Sequence, residues 1–419
     1  MKTKKTFILL FLIFLILFNI NFSLASETTN TEPSVSAASA LLIDNKTNQI
    51  LYKKNEDQKM YPASITKIMT AIIVLENCNL DDVVTASYNA IMSVPEGYTL
   101  AKIQIGEQLS VEHLLELLLL HSANDSANVL AEHVGGSIDS FVSMMNTKLN
   151  ELGLKNSHFT NPYGLHDENH FSTASDLALL FKYCLKNETF RRISGQASCA
   201  IPATNLYGTR SYNTTNELLI PGSSNYYKYL TTGKTGYTSQ SKECLVSSGF
   251  KDDLELICVV LGSENRFLDT RTIYEYGYSN YSIKDIVTAN NIITNIEVSN
   301  ATKDTKNLNL LASNSISILL GNSASNEEIN TKIILNDIIS APIEQGEILG
   351  IAKYSINGVE YSTNLVAANN VEPLNFLNYL LYASGIFLLL LVGFEIFLLF
   401  RKKQNWIKLL YKIYIIQKR

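Results

Sequence analysis

Leu377 to Phe400 is apolar over about 24 residues, and Arg401, Lys402 and Lys403 follow at once. A helix needs roughly 20 apolar residues to cross the hydrocarbon of a bilayer, so this run is a transmembrane candidate to which any fold of the chain must connect. The preference for Lys and Arg on the inner side places the end beyond 401 in the cytoplasm. Glu395 lies in the run near its basic end and reads as a carboxylate reaching the interface beside Arg401 rather than as an intramembrane functional group. The tail WIKLLYKIYIIQKR alternates basic and apolar residues, a composition suited to an anionic inner leaflet.

At the other end, Lys2, Lys4 and Lys5 precede the apolar run Phe7 to Phe18, and Ser23-Leu24-Ala25 supplies small residues for cleavage. Residues 1–25 therefore read as a secretory signal peptide, with an uncleaved anchor helix as the alternative. Roughly 350 residues remain outside the membrane, enough for two domains. A formal net charge of −5 argues against a nucleic-acid partner. The five cysteines, at 78, 184, 199, 244 and 258, are odd in number and show no C-x-x-C spacing. Neither a zinc site nor a complete disulfide framework is expected, and most read as small buried hydrophobes.

The segment SALLIDNKTNQILYKKN places two β-prone runs across a polar turn, and CLVSSGF and LELICVVLG do the same across Lys251-Asp252-Asp253. Between them lie apolar-periodic stretches, Val111 to Leu120 continuing through HSANDSANVLAEHVGG, and Ile138 to Leu152, that predict one-faced helices. Strands at both ends with helices between them predict an α+β domain whose sheet is closed by its termini, over 34–281. From 282 to 372 the texture changes to short β-like runs, with Asn357-Gly358 a strong two-residue hairpin signal. This predicts a small all-β domain, followed by the transmembrane helix at 377–400 and a basic tail at 401–419.

A serine hydroxyl is a poor nucleophile at neutral pH and needs a neighbouring base. In YPASITKIMTA, Ser64 and Lys67 stand at i and i+3 where a helix begins, so both side chains share one face. Ile65, Ile68, Met69, Ile72 and Ile73 would bury its flank, and desolvation with a nearby cation lowers a lysine until part of it is neutral. S-x-x-K recurs at Ser239–Lys242 and Ser248–Lys251, but in turn-like or strand-like settings. Ser122-Ala123-Asn124 follows an apolar helix, and Lys234-Thr235-Gly236 immediately precedes the second strand pair. S-x-N is common, as at Ser211-Tyr212-Asn213, whereas K-T-G occurs once. In this order the three form a signature of penicillin-recognising serine enzymes.

Beyond those motifs, PASITKIMTA, GEQLSVEHLLELLLLHSANDSANVLAEHVGG, MNTKLNELGLKNSHFTNPYGLHDENHFSTASDLALL and GKTGYT with CLVSSG resemble the low-molecular-mass penicillin-binding proteins, serine-type D-alanyl-D-alanine carboxypeptidases of the peptidase S11 family. The resemblance spans Ser36 to Tyr281 and implies a transpeptidase/β-lactamase-like fold. It implies Ser64 as nucleophile, Lys67 as its base, Ser122 as proton relay to the leaving amine and Asn124 as a holder of the substrate amide. Lys234 and Thr235 of the K-T-G motif, with Gly236, would receive the terminal carboxylate, helped by Arg266. The backbone N–H groups of Ser64 and Tyr237 would form the oxyanion hole. Partners implied are stem peptides of peptidoglycan ending in D-Ala-D-Ala, β-lactams as covalent inhibitors, and the membrane; no cofactor or metal is implied. SQSKECL replaces the usual Ala-Gly before the cysteine and leucine, which puts the turn beside K-T-G in question. The loop YGLHDENHFS carries His166, Asp167 and His170, which read as a hydrogen-bonded loop rather than metal ligands.

Two other functions fit parts of the pattern. A β-lactamase shares the acylation chemistry, but the transmembrane run, the extra β domain and the lack of an obvious second glutamate base weigh against it. A non-catalytic wall-binding protein could keep the fold, although all three motifs are present.

Overall fold

The computed structural model describes residues 32–322, 329–356 and 359–417, so the expected signal peptide and the Asn357-Gly358 turn lie outside the described residues. The chain divides into two compact units, 1–282 and 283–419. In the first, β1 (Ser39–Asp44) and β2 (Ile50–Lys54) form the first hairpin. Two short ladders follow, β3 (Val83–Thr85) with β4 (Gln108–Ser110), and β5 (Ser198–Ile201) with β6 (Arg210–Asn213). The main sheet is completed by β7 (Leu230–Thr238), β8 (Lys242–Lys251) and β9 (Leu254–Ser263), in the antiparallel order β2-β1-β9-β8-β7. First and last strands thus meet, Leu42 opposite Cys258, as expected for a sheet closed by the ends of the domain.

Eight helices belong to this unit among the described residues: α1 (Lys67–Asn77), α2 (Tyr88–Met92), α3 (Val111–Glu116), α4 (Asn124–Gly135), α5 (Ile138–Glu151), α6 (Ala174–Cys184), α7 (Glu188–Ser194) and α8 (Arg266–Asn280). Side chains alternate across a strand, and both sets are buried here. Leu41, Ile43, Ile257, Val259 and Leu261 join the large helical core. Leu42 and Leu256 instead lie against Gly277 of α8, where a Cβ would come within 2.5 Å of the Leu42 side chain. A strand buried on both faces loses its polar alternation, which is why Ala40 to Ile43 is continuously apolar. Helix α1 runs through the core, buried at every residue from Lys67 to Val74.

The second unit begins its strands with β10 (Tyr281–Val287), which pairs with β13 (Ile316–Gly321). Its main sheet has the order β11-β12-β16-β15-β14, from β11 (Ile292–Glu297), β12 (Asn307–Ala312), β14 (Asn330–Leu335), β15 (Ile348–Ile356) and β16 (Val359–Ala367). Ile356 pairs with Val359, so residues 357–358 are all that separates β15 from β16. Leu308, Leu310, Ile318, Tyr354 and Leu365 belong to a separate apolar core. Helix α9 (Phe376–Gln417) follows without a break at Phe400. By length and composition it is long and apolar enough to cross a membrane.

Candidate active site

Ser64 lies in a 3₁₀ turn, Ala63–Thr66, and Lys67 opens α1. The i, i+3 pair therefore sits on a 3₁₀-to-α junction, where eclipsing at three residues per turn brings the side chains closer than an α-helix would. Lys67 is completely buried. Its Nζ lies 2.9 Å from Ser64 Oγ, 2.6 Å from Asn124 Oδ1 and 2.8 Å from the Tyr163 carbonyl oxygen. Two of these neighbours only accept, and the third is a hydroxyl that can donate. A neutral amine spends its two N–H groups on the amide and carbonyl oxygens, which aims its lone pair at Ser64. Burial, with the charge of Lys234 second, holds Lys67 well below the ordinary ammonium range, which shifts it towards the neutral form.

Ser64 is set by close backbone packing. Ala63 has φ +48°, in the left-handed region that a residue with a side chain rarely adopts. Gly164 and Gly236 hold it from two elements. A Cβ on Gly164 would lie 1.9 Å from the Ala63 carbonyl oxygen, and one on Gly236 would lie 2.8 Å from the Pro62 oxygen and 3.1 Å from the Ser64 nitrogen. Strand β7 can therefore bring the residue before Tyr237 against the Ser64 N–H only because position 236 has no side chain.

Ser122 is placed by a π turn. After α3 the helix widens over Leu117–His121, and Ser122 follows with φ +66°. Such bulges recur at functional sites because they redirect the residue that ends them. The carbonyl of Leu117 accepts both the Ser122 and the Ala123 N–H groups. Lys234, on β7, is buried and donates to Ser122 Oγ at 3.0 Å and to the Thr235 carbonyl at 2.9 Å. Burial first, and Arg266 second, push Lys234 down to about 7. Thr235 shares a short hydroxyl hydrogen bond with Thr215, whose N–H donates to the Leu120 carbonyl, so the K-T-G strand and the S-x-N helix are tied together.

Arg266, at the start of α8, lies beside the K-T-G strand. Its Nη1 donates to the Gly236 carbonyl at 2.7 Å, and its Nη2 lies 3.5 Å from Glu243. The guanidinium thus braces β7 and adds positive field at Lys234. The departure at SQSKECL leaves the register intact, with Tyr237 opposite Glu243 and Thr238 opposite Lys242. The Ser241 hydroxyl accepts the Thr238 N–H at 2.8 Å and closes the turn.

Several residues of the site carry no signal in the three motifs. Tyr163 contributes a carbonyl, and Asn161 Oδ1 folds its loop by accepting the Gly164 and Leu165 N–H groups. Asn-Pro and Tyr-Gly punctuation marks a turn there, without saying what it touches. Asp125 accepts N–H groups of Ala101 and Ile103, while the Asn124 N–H donates to the Thr99 carbonyl. Loop 99–103 is thereby fixed to the start of α4. His170 is buried; its Nδ1 accepts the Thr160 N–H at 3.0 Å, leaving Nε2–H for the Thr66 hydroxyl at 2.8 Å. Burial lowers it to about 3, so it stays neutral as a hydrogen-bonded prop of the 3₁₀ turn.

A five-stranded antiparallel sheet, a helical layer, and a Ser64–Lys67 pair whose buried lysine is bonded to Asn124, with a buried Lys234 bonded to Ser122, define the class of penicillin-recognising serine hydrolases. A family model described as D-alanyl-D-alanine carboxypeptidase matches residues 26–265, and one described as penicillin-binding protein 5, C-terminal domain, matches residues 281–373. D-alanyl-D-alanine carboxypeptidase DacF of Bacillus subtilis (strain 168) is 31% identical over 359 residues, covering 83% of this chain and 89% of its own. The crystal structure of penicillin binding protein 5 from Haemophilus influenzae superposes with a TM-score of 0.62 at 27% identity, over 82% of this chain and 99% of that one. The Streptomyces K15 DD-transpeptidase superposes at 0.56 with 31% identity, over 59% of this chain and 99% of its own. The chain belongs to the peptidase S11 family of D-alanyl-D-alanine carboxypeptidases.

Proposed function

We propose that this chain is a membrane-anchored serine D-alanyl-D-alanine carboxypeptidase acting on stem peptides of peptidoglycan and acylated by penicillins. The observation that carries the reading is the buried Lys67 amine 2.9 Å from Ser64 Oγ, with its N–H groups committed elsewhere. Neutral Lys67 takes the Ser64 proton as Oγ attacks the penultimate carbonyl. The oxyanion faces the N–H groups of Ser64 and Tyr237, a contribution of roughly a hundred- to a thousandfold per donor. Ser122, held by Lys234, passes a proton to the departing D-alanine amine, and water then hydrolyses the ester. Asn124 orients Lys67 and the substrate amide, while Lys234 and Thr235 meet the terminal carboxylate. Arg266 supports that pocket by fixing Gly236.

The organisation we infer is a signal peptide at 1–25, a catalytic domain at 34–281, a β domain at 282–372, a transmembrane helix at 377–400 and a basic cytoplasmic tail at 401–419. Arg401 to Lys403 support that orientation. Protease added outside wall-stripped cells should digest 26–372 and spare the tail; an externally cleaved tail overturns the topology.

The activity is tested by incubating the full chain in detergent with a peptide ending in D-Ala-D-Ala and assaying released D-alanine. Release in wild type and none in Ser64→Ala is expected; no release by wild type refutes the reading. Slow loss of a bound penicillin distinguishes it from a β-lactamase, which would turn the drug over rapidly.

A further inference from the structure

Helix α1 carries Lys67 at one end, and its other end meets a cluster that the chemistry of acylation does not use. Cys78 caps α1, donating its N–H to the Val74 carbonyl. Asp82 lies four residues on, and His133 sits in the last turn of α4. The Cys78 sulfur, an Asp82 carboxylate oxygen and a His133 ring nitrogen all lie within 4.8 Å of one another. We propose that these three residues form a zinc site, with thiolate, carboxylate and imidazole as ligands and water in the fourth position.

Three features besides proximity point to a cation. The donors are a set that suits Zn²⁺, whose bonds of about 2.0 to 2.3 Å would place them roughly 3.5 Å apart, reached by small side-chain rotations. Two helices, α1 and α4, end at the cluster, and the partial negative charge of a helix C-terminus favours a cation. The carboxylate is already oriented, because Asp82 accepts the Asn79 N–H at 2.8 Å. Its loop is pinned by the N–H groups of Val111 and Glu112, which donate to the carbonyls of Asp82 and Leu80. Such outer-shell hydrogen bonds are what orient metal ligands.

Binding replaces the S–H bond of Cys78 by a Zn–S bond and releases the proton to solvent; no redox step is involved. Cys78 and Asp82 are half-buried and His133 is exposed, so the ion has a path in. The eleven residues of α1 separate the cluster from Lys67 by about 16 Å. The ion therefore clips the far end of the nucleophile's helix and is not part of the reaction.

Cobalt(II), and then zinc, are titrated into metal-free full chain in detergent. The expected result is a thiolate-to-cobalt charge-transfer band with one equivalent of Co²⁺, erased by one of Zn²⁺. Zinc should also raise the melting temperature. Cys78→Ser should lose the band, and His133→Ala should weaken zinc binding at least about tenfold. Both variants should still be labelled by fluorescent penicillin, which reports their fold. Absence of the band in wild type, its survival in Cys78→Ser, or unchanged zinc affinity in His133→Ala would each overturn the assignment. Cys184, Cys199, Cys244 and Cys258 are buried and serve as the internal control for a non-specific thiol.

Discussion

The two lysines of the site are proposed to have opposite tasks, Lys67 to take a proton and Lys234 to keep one. Burial drives both lysines down, Lys67 with the charge of Lys234 as the second cause, and Lys234, to about 7, with Arg266 as the second. For an acid-terminated peptide, kcat/KM should fall above about 7 as Lys234 loses the charge proposed to meet the carboxylate. An amide-terminated peptide should lack that falling limb. At a pH where Lys234 is charged, Lys234→Ala should cost the acid substrate roughly ten- to a hundredfold and the amide far less, because a charge-assisted contact is worth about 1.5 to 3 kcal/mol. Equal losses would remove Lys234 from carboxylate recognition. Stability carries the same signature. A lysine depressed from 10.5 to about 7 binds fewer protons folded than unfolded across that window, so its burial costs least at high pH and stability rises with pH there. Lys234→Met should flatten that rise in thermal unfolding. Fluorescent penicillin should label Ser239→Ala, since Ser239 is exposed and bonded only to its neighbour Gln240 among the contacts seen, and should not label Ser64→Ala.

At the scale of elements, the site depends on how closely β7 and the loop 161–165 approach the 3₁₀ turn. Gly236→Ala sets a Cβ against the Pro62 oxygen and the Ser64 nitrogen, both backbone atoms with no rotamer to change. A displacement approaching 1 Å between nucleophile and oxyanion donors costs about a hundredfold, and that loss is expected in the penicillin acylation rate. Gly164→Ala is more severe, because its φ of +89° disfavours a side chain and the new atom overlaps the Ala63 carbonyl. It should destabilise the protein by about 2 kcal/mol or more, read in denaturant unfolding, as well as stop acylation. A Gly164→Ala protein of unchanged stability would mean that the loop can retreat, and that the strained Ala63 conformation is not held by it.

On the scale of the molecule, the two units have their own apolar cores, one around α1 and the main sheet and one among β10 to β16. Covalent acylation of Ser64 stabilises only the unit that contains it, since a group bound to the native state alone shifts that state's equilibrium. In calorimetry the full chain should show two transitions, and penicillin should raise one and leave the other in place. A chain ending at residue 373 should remain in the aqueous fraction after detergent partitioning and keep its labelling by penicillin. Retention of that truncated chain in the membrane would assign anchoring to a segment other than α9.

Local chemistry was legible in the sequence wherever its parts are close along the chain. Ser64 and Lys67 are three residues apart, the hairpins sit across short polar turns, and the apolar run of α9 is continuous, so periodicity and spacing specify each of them. The order of the S-x-x-K, S-x-N and K-T-G motifs, with the wider resemblance, identified the chemistry. Tertiary structure alone decided how the motifs meet. Lys234 reaches Ser122 across 112 residues, and Lys67 reaches Asn124 across 57. It also decided that the lysine's second partner is the carbonyl of Tyr163, and a backbone carbonyl is present at every residue, so no residue type announces it. Arg266 shows the same limit, since its bond to the Gly236 carbonyl depends on how α8 packs beside β7. The π turn before Ser122, the contacts at Gly164 and Gly236, and the meeting of Cys78, Asp82 and His133 arise from helices and strands brought together by burial of their apolar faces. Such contacts are set by the relative placement of whole elements, which no local spacing encodes.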